Sequence, residues 1–353
     1  MTKTWTAVVI LFFAFSSSIY AQASRTPPVL QSLGARATNQ TDAGESTTPK
    51  PASVVVDGIV RITSLTTIPA IVMDRNGRYI PNLRQEDFLI YEDGVEQELS
   101  YFASVEKPFT VALMLDVSGS TQAQLTQIRE AANIFVGRLR PNDRLMVITF
   151  DGQINVLTEP ATVAEIRRGK LRIPTITDGT VLYDAVDFVL KRMSQIQGRK
   201  AIVLMSDGVD QNSRSSMQQT LADIAEQDVL AYTVQYNTIS QLPQRLSQIK
   251  NEKARKKVQE RLLKSYALSE PYMRGLAEKT GGRFYRSDDL KNVGPAFEAI
   301  TAELGVQYSL GYYSKSDTSA GTERAVKVKV RLPNLVVRAR ETYTPAPAVA
   351  KKD

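Results

Sequence analysis

The chain has 353 residues, 42% hydrophobic and 23% charged, an ordinary globular composition with room for about two domains. It contains no cysteine and no histidine, which excludes disulfides, iron–sulfur clusters, thiolate or imidazole metal sites, and Ser-His-Asp or Cys-His catalysis. The formal charge is +7, so where the excess sits decides whether an anionic partner is implied. Any metal is left with oxygen ligands, which favours hard cations.

The first residues read as an export signal. Lys3 supplies a positive start, Trp5 to Phe15 an apolar run, and Ala21-Gln22-Ala23 the small residues of a cleavage point after Ala23 or Ala21. The run is shorter than the ~20 residues of a membrane-spanning helix, and no later segment is apolar enough to span. The expected mature chain is therefore exported, periplasmic or secreted, from a bacterium, with no transmembrane segment. Residues 24–52 are rich in Thr, Ser, Pro, Ala and Gln and predict a disordered linker.

Residues 53–105 predict short strands. Val54 to Val56, Val60 to Thr63, Ala70 to Met73, Phe88 to Tyr91 and Gln97 to Phe102 are separated by Asn76-Gly77 and Glu92-Asp93-Gly94 turns. The pattern then changes to alternating buried strands and helices over 107–304. Val111 to Leu115, Leu145 to Ile148, Ala201 to Met205 and Val229 to Val234 are the strands. Gln122 to Leu139, Val181 to Ile196, Met217 to Glu226, Tyr272 to Thr280 and Leu290 to Leu304 are the helices. This predicts an α/β domain with a doubly wound, mostly parallel sheet.

Within it, 241–268 reads as a basic helical insertion. Gln244 to Lys264 predicts one long helix with Arg245, Lys250, Lys253, Arg255, Lys256, Lys257, Arg261 and Lys264 against Glu252 and Glu260, which is +6 of the chain's +7. A solvated face is the plain reading of such a run. An acidic or anionic partner is the functional one, and nucleic acid is not expected because no aromatic residues interleave the charges. From 305 to 343 the chain returns to strands at Gln307 to Tyr313, Glu323 to Leu332 and Leu335 to Tyr343. Three strands with one polar face make a poor core alone. They are expected to complete a split β-sandwich with the 53–105 strands, before a loose tail at 344–353.

Open parallel sheets bind ligands beyond the carboxyl ends of their strands. Asp116-Val117-Ser118-Gly119-Ser120 follows one buried strand, Ser206-Asp207-Gly208 follows another, and Thr177-Asp178-Gly179-Thr180 precedes a helix. Asp116, Ser118, Ser120, Thr180 and Asp207 thus predict an all-oxygen site for Mg²⁺ or Mn²⁺, with Ca²⁺ a weaker fit. Helix capping alone explains Asp116, Ser118 and Ser120 equally well. The addition of Thr180 and Asp207 favours the metal. Asp184 and Asp210 read as ordinary helix-start or loop charges.

In these three motifs, in this order, residues 107–304 resemble a von Willebrand factor type A domain with a metal-ion-dependent adhesion site. Asp116-x-Ser118-x-Ser120, Thr180 and Asp207 match the family's motif positions. Asn76-Gly77-Arg78, Tyr91-Glu92-Asp93-Gly94 and Tyr308 to Tyr313 are similar to a bacterial subfamily related to it. The resemblance implies that Ser118, Ser120 and Thr180 ligate directly, that Asp116 and Asp207 act largely through water, and that a partner's acidic side chain completes the shell. Asp178 stands where many members carry Gly and is a candidate to support the ion from behind its direct ligands.

The expected function is therefore metal-dependent protein binding, for adhesion or scaffolding, and not enzymatic. Two other readings remain. One is a structural envelope protein that binds through its sandwich. The other is a phosphoryl-transfer hydrolase with Asp116 as nucleophile, against which Ser118 occupies the place two residues on where a second carboxylate is wanted.

Overall fold

The computed structural model describes residues 52–56, 59–63, 65–104, 107–168, 173, 179–287, 293–315 and 322–345. The export signal, all of the linker but its last residue, Asp178, and the tail from 346 onward lie outside the described residues.

The strands that carry the α/β body form because their residues are apolar on both faces. These are β7 (Thr110–Asp116), β8 (Arg144–Phe150), β10 (Lys200–Ser206) and β11 (Leu230–Tyr236), and β7, β10 and β11 are buried along their whole length. With β9 (Ile154–Thr162) and β12 (Arg283–Ser287) they build a six-stranded sheet ordered β12-β11-β10-β7-β8-β9. Only the β8–β9 pairing is antiparallel. Alternation along β7 separates two cores. Val111, Leu113 and Leu115 pack with Phe135 of α1 (Leu125–Arg138) and Phe297 of α7 (Gly294–Leu304). Ala112 and Met114 face the other way, toward Val186 and Val189 of α3 (Leu182–Met193), Ile224 of α4 (Met217–Glu226) and Met273 of α6 (Glu252–Glu278).

Chain order in the sheet reverses between β7 and β10. The loops that leave their carboxyl ends diverge, and a crevice opens there. Asp116 is the last residue of β7 and Asp207 follows β10 directly, so the topology sets the two carboxylates side by side.

The sandwich has two four-stranded sheets. One is β15-β3-β13-β6, from Leu335–Ala339, Leu65–Asp74, Tyr308–Tyr313 and Leu99–Ala103. The other is β16-β14-β4-β5, from Thr342–Tyr343, Arg324–Val330, Phe88–Glu92 and Val95–Gln97. Each sheet mixes strands from both ends of the chain, and Ala70 pairs with Tyr308. Ile68, Val72, Phe88, Ile90, Leu310 and Val326 fill the space between them. A separate hairpin is formed by β1 (Ala52–Val56) and β2 (Ile59–Thr63).

Three readings are corrected. The basic segment is not one helix from 244 to 264. It is α5 (Leu242–Ser247), a break, and then α6, which starts at Glu252 because the Asn251 side chain accepts a 2.9 Å hydrogen bond from the Ala254 N–H. The helix expected over 272–280 is the end of the same α6, which continues through Pro271. Burial of Tyr272, Met273, Leu276 and Ala277 against the sheet outweighs the ~3 kcal/mol that an interior proline costs. Finally, β9 was not expected. It is a half-buried edge strand containing Pro160, and its sequence lacks clean alternation.

Buried charge stabilises the sandwich. Arg324 and Glu92 are an ion pair with both side chains at 1% exposure or less, and Ser314 and Tyr343 hydroxyls also donate to Glu92. Removing one member leaves the other charge buried and alone. Arg324→Met is therefore expected to lower the unfolding free energy by about 3–5 kcal/mol. Glu92→Leu combined with Arg324→Met should recover most of that loss, measured by chemical denaturation at pH 7.

Candidate metal centre

Asp116, Ser118, Ser120, Thr180 and Asp207 all lie at the carboxyl end of the six-stranded sheet, each 2% exposed or less. The loop after β7 turns tightly. Asp116 Oδ1 accepts from the Ser118 N–H at 3.0 Å, and the Ser118 and Ser120 hydroxyls lie 3.0 Å apart. Ser120 then leads into a 3₁₀ turn and α1. The Ser120 hydroxyl also reaches Asp207, which ties the two strand ends together.

Thr180 comes from the loop before α3. Its carbonyl accepts from the Gln211 and Asn212 N–H groups at 3.0 Å, and the next N–H, of Val181, donates to the Asp151 carbonyl at the end of β8. The Thr180 residue is thus held between two loops of the same sheet end. Its hydroxyl is buried and has no hydrogen-bond partner. Gly179 before it has φ +95°, and a Cβ there would lie 2.9 Å from Asn212 Oδ1, so only glycine fits. Gly208 is constrained in the same way: φ is +79° and a Cβ would lie 2.9 Å from the Cβ of Ser269 in α6.

Four supporting residues had not been singled out from the sequence. The Ser206 hydroxyl donates to Asp116 Oδ2 at 2.6 Å while accepting from the Gly208 N–H. Thr238, beyond the end of β11, donates to Asp207 Oδ2 at 2.6 Å. Its one proton is used there, so the Tyr266 hydroxyl, 2.6 Å away, donates to Thr238. Tyr236, fully buried, directs its hydroxyl toward the Asp116 carbonyl at 3.4 Å. Of these, only Ser206 carried a sequence signal, a hydroxyl at the end of a buried strand and next to Asp207. Asp184 and Asp210 have local roles. Asp184 accepts from the Arg214 and Ser215 N–H groups, and Asp210 from the Ser213 hydroxyl and the Tyr183 N–H, which pins the loop after β10 onto α3.

The donor set fits a hard divalent cation. Buried polar atoms ordinarily have a partner, and the Thr180 hydroxyl is buried without one, at the same sheet end as Asp116, Ser118, Ser120 and Asp207. Among the described residues no group of three or more acidic side chains stands together. A cation here would be surrounded by three neutral hydroxyls and two carboxylates, so most of the protein groups around it carry no charge.

The sequence model of the von Willebrand factor type A domain family matches residues 111–209, which span the first motif, Thr180 and Asp207. Residues 111–209 match a von Willebrand factor type A domain. No curated protein matches it. Solved structures similar to it include BatB from Bacteroides thetaiotaomicron, a conserved hypothetical protein, at 19% identity over 56% of this chain and 97% of that one, with a TM-score of 0.40. The ArnB paralog VWA2 from Sulfolobus acidocaldarius is 15% identical over 81% and 76%, with a TM-score of 0.42. The manganese-loaded TRAP protein of Plasmodium vivax is 12% identical over 72% and 98%, with a TM-score of 0.35. No helix among the described residues is long and apolar enough to cross a membrane.

The electrostatics of the type A domain's site follow from burial. Burial, with the neighbouring Asp207 charge adding to it, pushes the Asp116 carboxyl up to about 7. Burial also raises Asp207, against hydrogen bonds from Thr238, the Val209 N–H and Ser120. An acid whose folded pKa lies above its unfolded value of 3.8 favours the folded state only while protonated. Metal-free protein, kept in chelator, is thus expected to lose stability as the pH rises from about 4 to about 7 and to level off above that. Asp116→Asn should flatten this slope in melting temperatures measured from pH 5 to pH 8.

Proposed function

We propose that this protein is an exported, metal-dependent protein-binding module. Asp116, Ser118, Ser120, Thr180 and Asp207 hold one divalent cation, Mg²⁺ or Mn²⁺, and an acidic side chain of a protein partner supplies a further ligand. Asp178, two residues before Thr180 in the sequence, is a further candidate carboxylate and lies outside the described residues. The observation that carries the reading is the buried, unpartnered Thr180 hydroxyl at the sheet end where two carboxylates and two further hydroxyls converge. Such a group costs free energy unless something accepts its lone pairs or proton, and a cation does so.

Binding is favoured over catalysis by the same residues. Ser118 rather than a carboxylate stands two residues after Asp116, and Asp116 and Asp207 are themselves engaged as acceptors by hydroxyl and backbone donors. A hydroxyl-rich shell keeps a cation electrophilic, which suits capture of a carboxylate. The export reading rests on the Lys3, Trp5 to Phe15 and Ala21-Gln22-Ala23 pattern.

Calorimetric titration with Mg²⁺ and Mn²⁺ tests the site. The wild type should bind one ion, Asp116→Ala should bind none, and Thr180→Ala should lose affinity on the order of 10–100-fold, the size typical of groups that shape a metal site. Equal affinity in the wild type and Asp116→Ala would overturn the reading.

A further inference from the structure

The basic hairpin of α5 and α6 is rooted at this site. Leu242 and Leu246 of α5 and Leu262 of α6 share a small core with Val209, two residues after Asp207. Tyr266 of α6 reaches Asp207 through Thr238. Beside Asp207, between the end of β11 and α6, is a cavity of about 150 Å³ with Asn237, Ile239, Tyr266 and Glu270 in its walls.

Arg245 is carried by α5, which packs on α6 through this small core. Its guanidinium lies against the Tyr266 hydroxyl and close enough to Asp207 for its charge to act there. Its Nη1 is buried and has no hydrogen-bond partner. Among the described residues Arg245 has no ion pair, and of the eight basic residues between 244 and 264 Lys256 alone pairs there, with Glu252 at 3.2 Å. Lys253, Lys257, Arg261 and Lys264 recur at helical spacing along one exposed stripe of α6. A guanidinium with a buried free donor is built for a planar oxyanion. The unpaired charge around it attracts polyanions at long range.

We propose that Arg245 is a second anchor for the partner, receiving a carboxylate next to the one bound by the cation, so that the partner's recognition segment is an acidic peptide with at least two carboxylates. This rests on the metal-dependent reading above. The cation and the guanidinium are then two positive points that select a pair of acidic residues, while the lysine stripe speeds encounter. A protein segment is favoured over a lipid surface because the free Nη1 of Arg245 is buried, where a side chain reaches and a flat headgroup layer does not.

The test uses the full mature chain and two fluorescent hexapeptides, one with two adjacent Glu residues and one with a single Glu, titrated in Mn²⁺ and again in chelator. Arg245→Gln is expected to weaken the two-Glu peptide about tenfold or more, to leave the single-Glu peptide within twofold, and to retain Mn²⁺ binding by calorimetry. Arg245→Lys should rescue only part of the loss, because an ammonium does not bind a carboxylate as a fork. Lys253→Gln with Lys257→Gln should slow association and reduce its salt dependence without changing dissociation. Equal binding of both peptides by the wild type and Arg245→Gln, or no peptide binding by Mn²⁺-loaded wild type, overturns the proposal. So does Arg245-dependent binding to phosphatidylserine vesicles without peptide binding, which moves the surface to lipid. Failure of the metal reading is separate: it shows as absent Mn²⁺ binding, and an Arg245-dependent preference for the two-Glu peptide in chelator would then still support the second anchor.

Discussion

Two carboxylates that end adjacent parallel strands set the terms for the surrounding structure. Asp116 and Asp207 are buried together where the order of the sheet reverses, and like charges in low dielectric repel and resist ionisation. Each nearby loop answers that cost with a donor. Ser206, the Ser118 N–H, Thr238 and the Val209 N–H each donate to one of the two. Every donated bond fixes a loop conformation, and the loops in turn need glycine at 179 and 208, where φ is positive and the backbone approaches Asn212 and α6 closely. The geometry of the site is thus a consequence of keeping two charges where the fold puts them.

The sandwich solves a different problem with similar means. Its strands come from both ends of the chain, so neither half closes alone, and charged side chains attach it to the α/β body. Arg340, 4% exposed, donates to the Ala225 and Gln227 carbonyls near the end of α4 and to the Thr67 carbonyl of β3. Glu303 near the end of α7 is fully buried and meets Arg338 of β15, Arg283 of β12 and the Tyr79 hydroxyl. Each buried charge is met by acceptors or donors from a different element, which gives these contacts more directional content than apolar packing has. The sandwich thereby holds the α/β body at α4 and at α7.

The alternating architecture was legible because burial on both faces writes itself as uninterrupted apolar runs, as in Val111 to Leu115 and Ala201 to Met205. The strand-end residues were legible for a related reason, since Asp, Ser and Thr stand out against such runs. What escaped was set by partners distant in sequence. Nothing in the neighbourhood of Thr238 announces that its hydroxyl will serve Asp207, 31 residues earlier, or that Tyr266 will serve Thr238 from 28 residues later. The edge strand β9 escaped because one side of it meets no neighbour, so its composition is mixed. The break between α5 and α6 was hidden because Leu246, Ile249, Val258 and Leu262 keep an apolar rhythm across it. Asn251, which caps α6, was the available signal.

The excess positive charge acquires a physical address from that break. A single straight helix over 244–264 would carry its eight basic residues away from the sheet. Folding back at 248–251 instead returns α5 to pack on α6 and on Val209, and brings Arg245 beside Tyr266 and the strand ends. The small shared core of Leu242, Leu246 and Leu262 is enough to hold the hairpin, because its outer face is left to solvent. The remaining cations repel one another along α6, and one Lys256–Glu252 pair at 3.2 Å, exposed on both sides, offsets little of that. A surface that keeps such repulsion unrelieved has lower electrostatic energy when negative charge approaches it. The hairpin places that gain next to the crevice between β7 and β10, where the buried carboxylates and the Thr180 hydroxyl already converge.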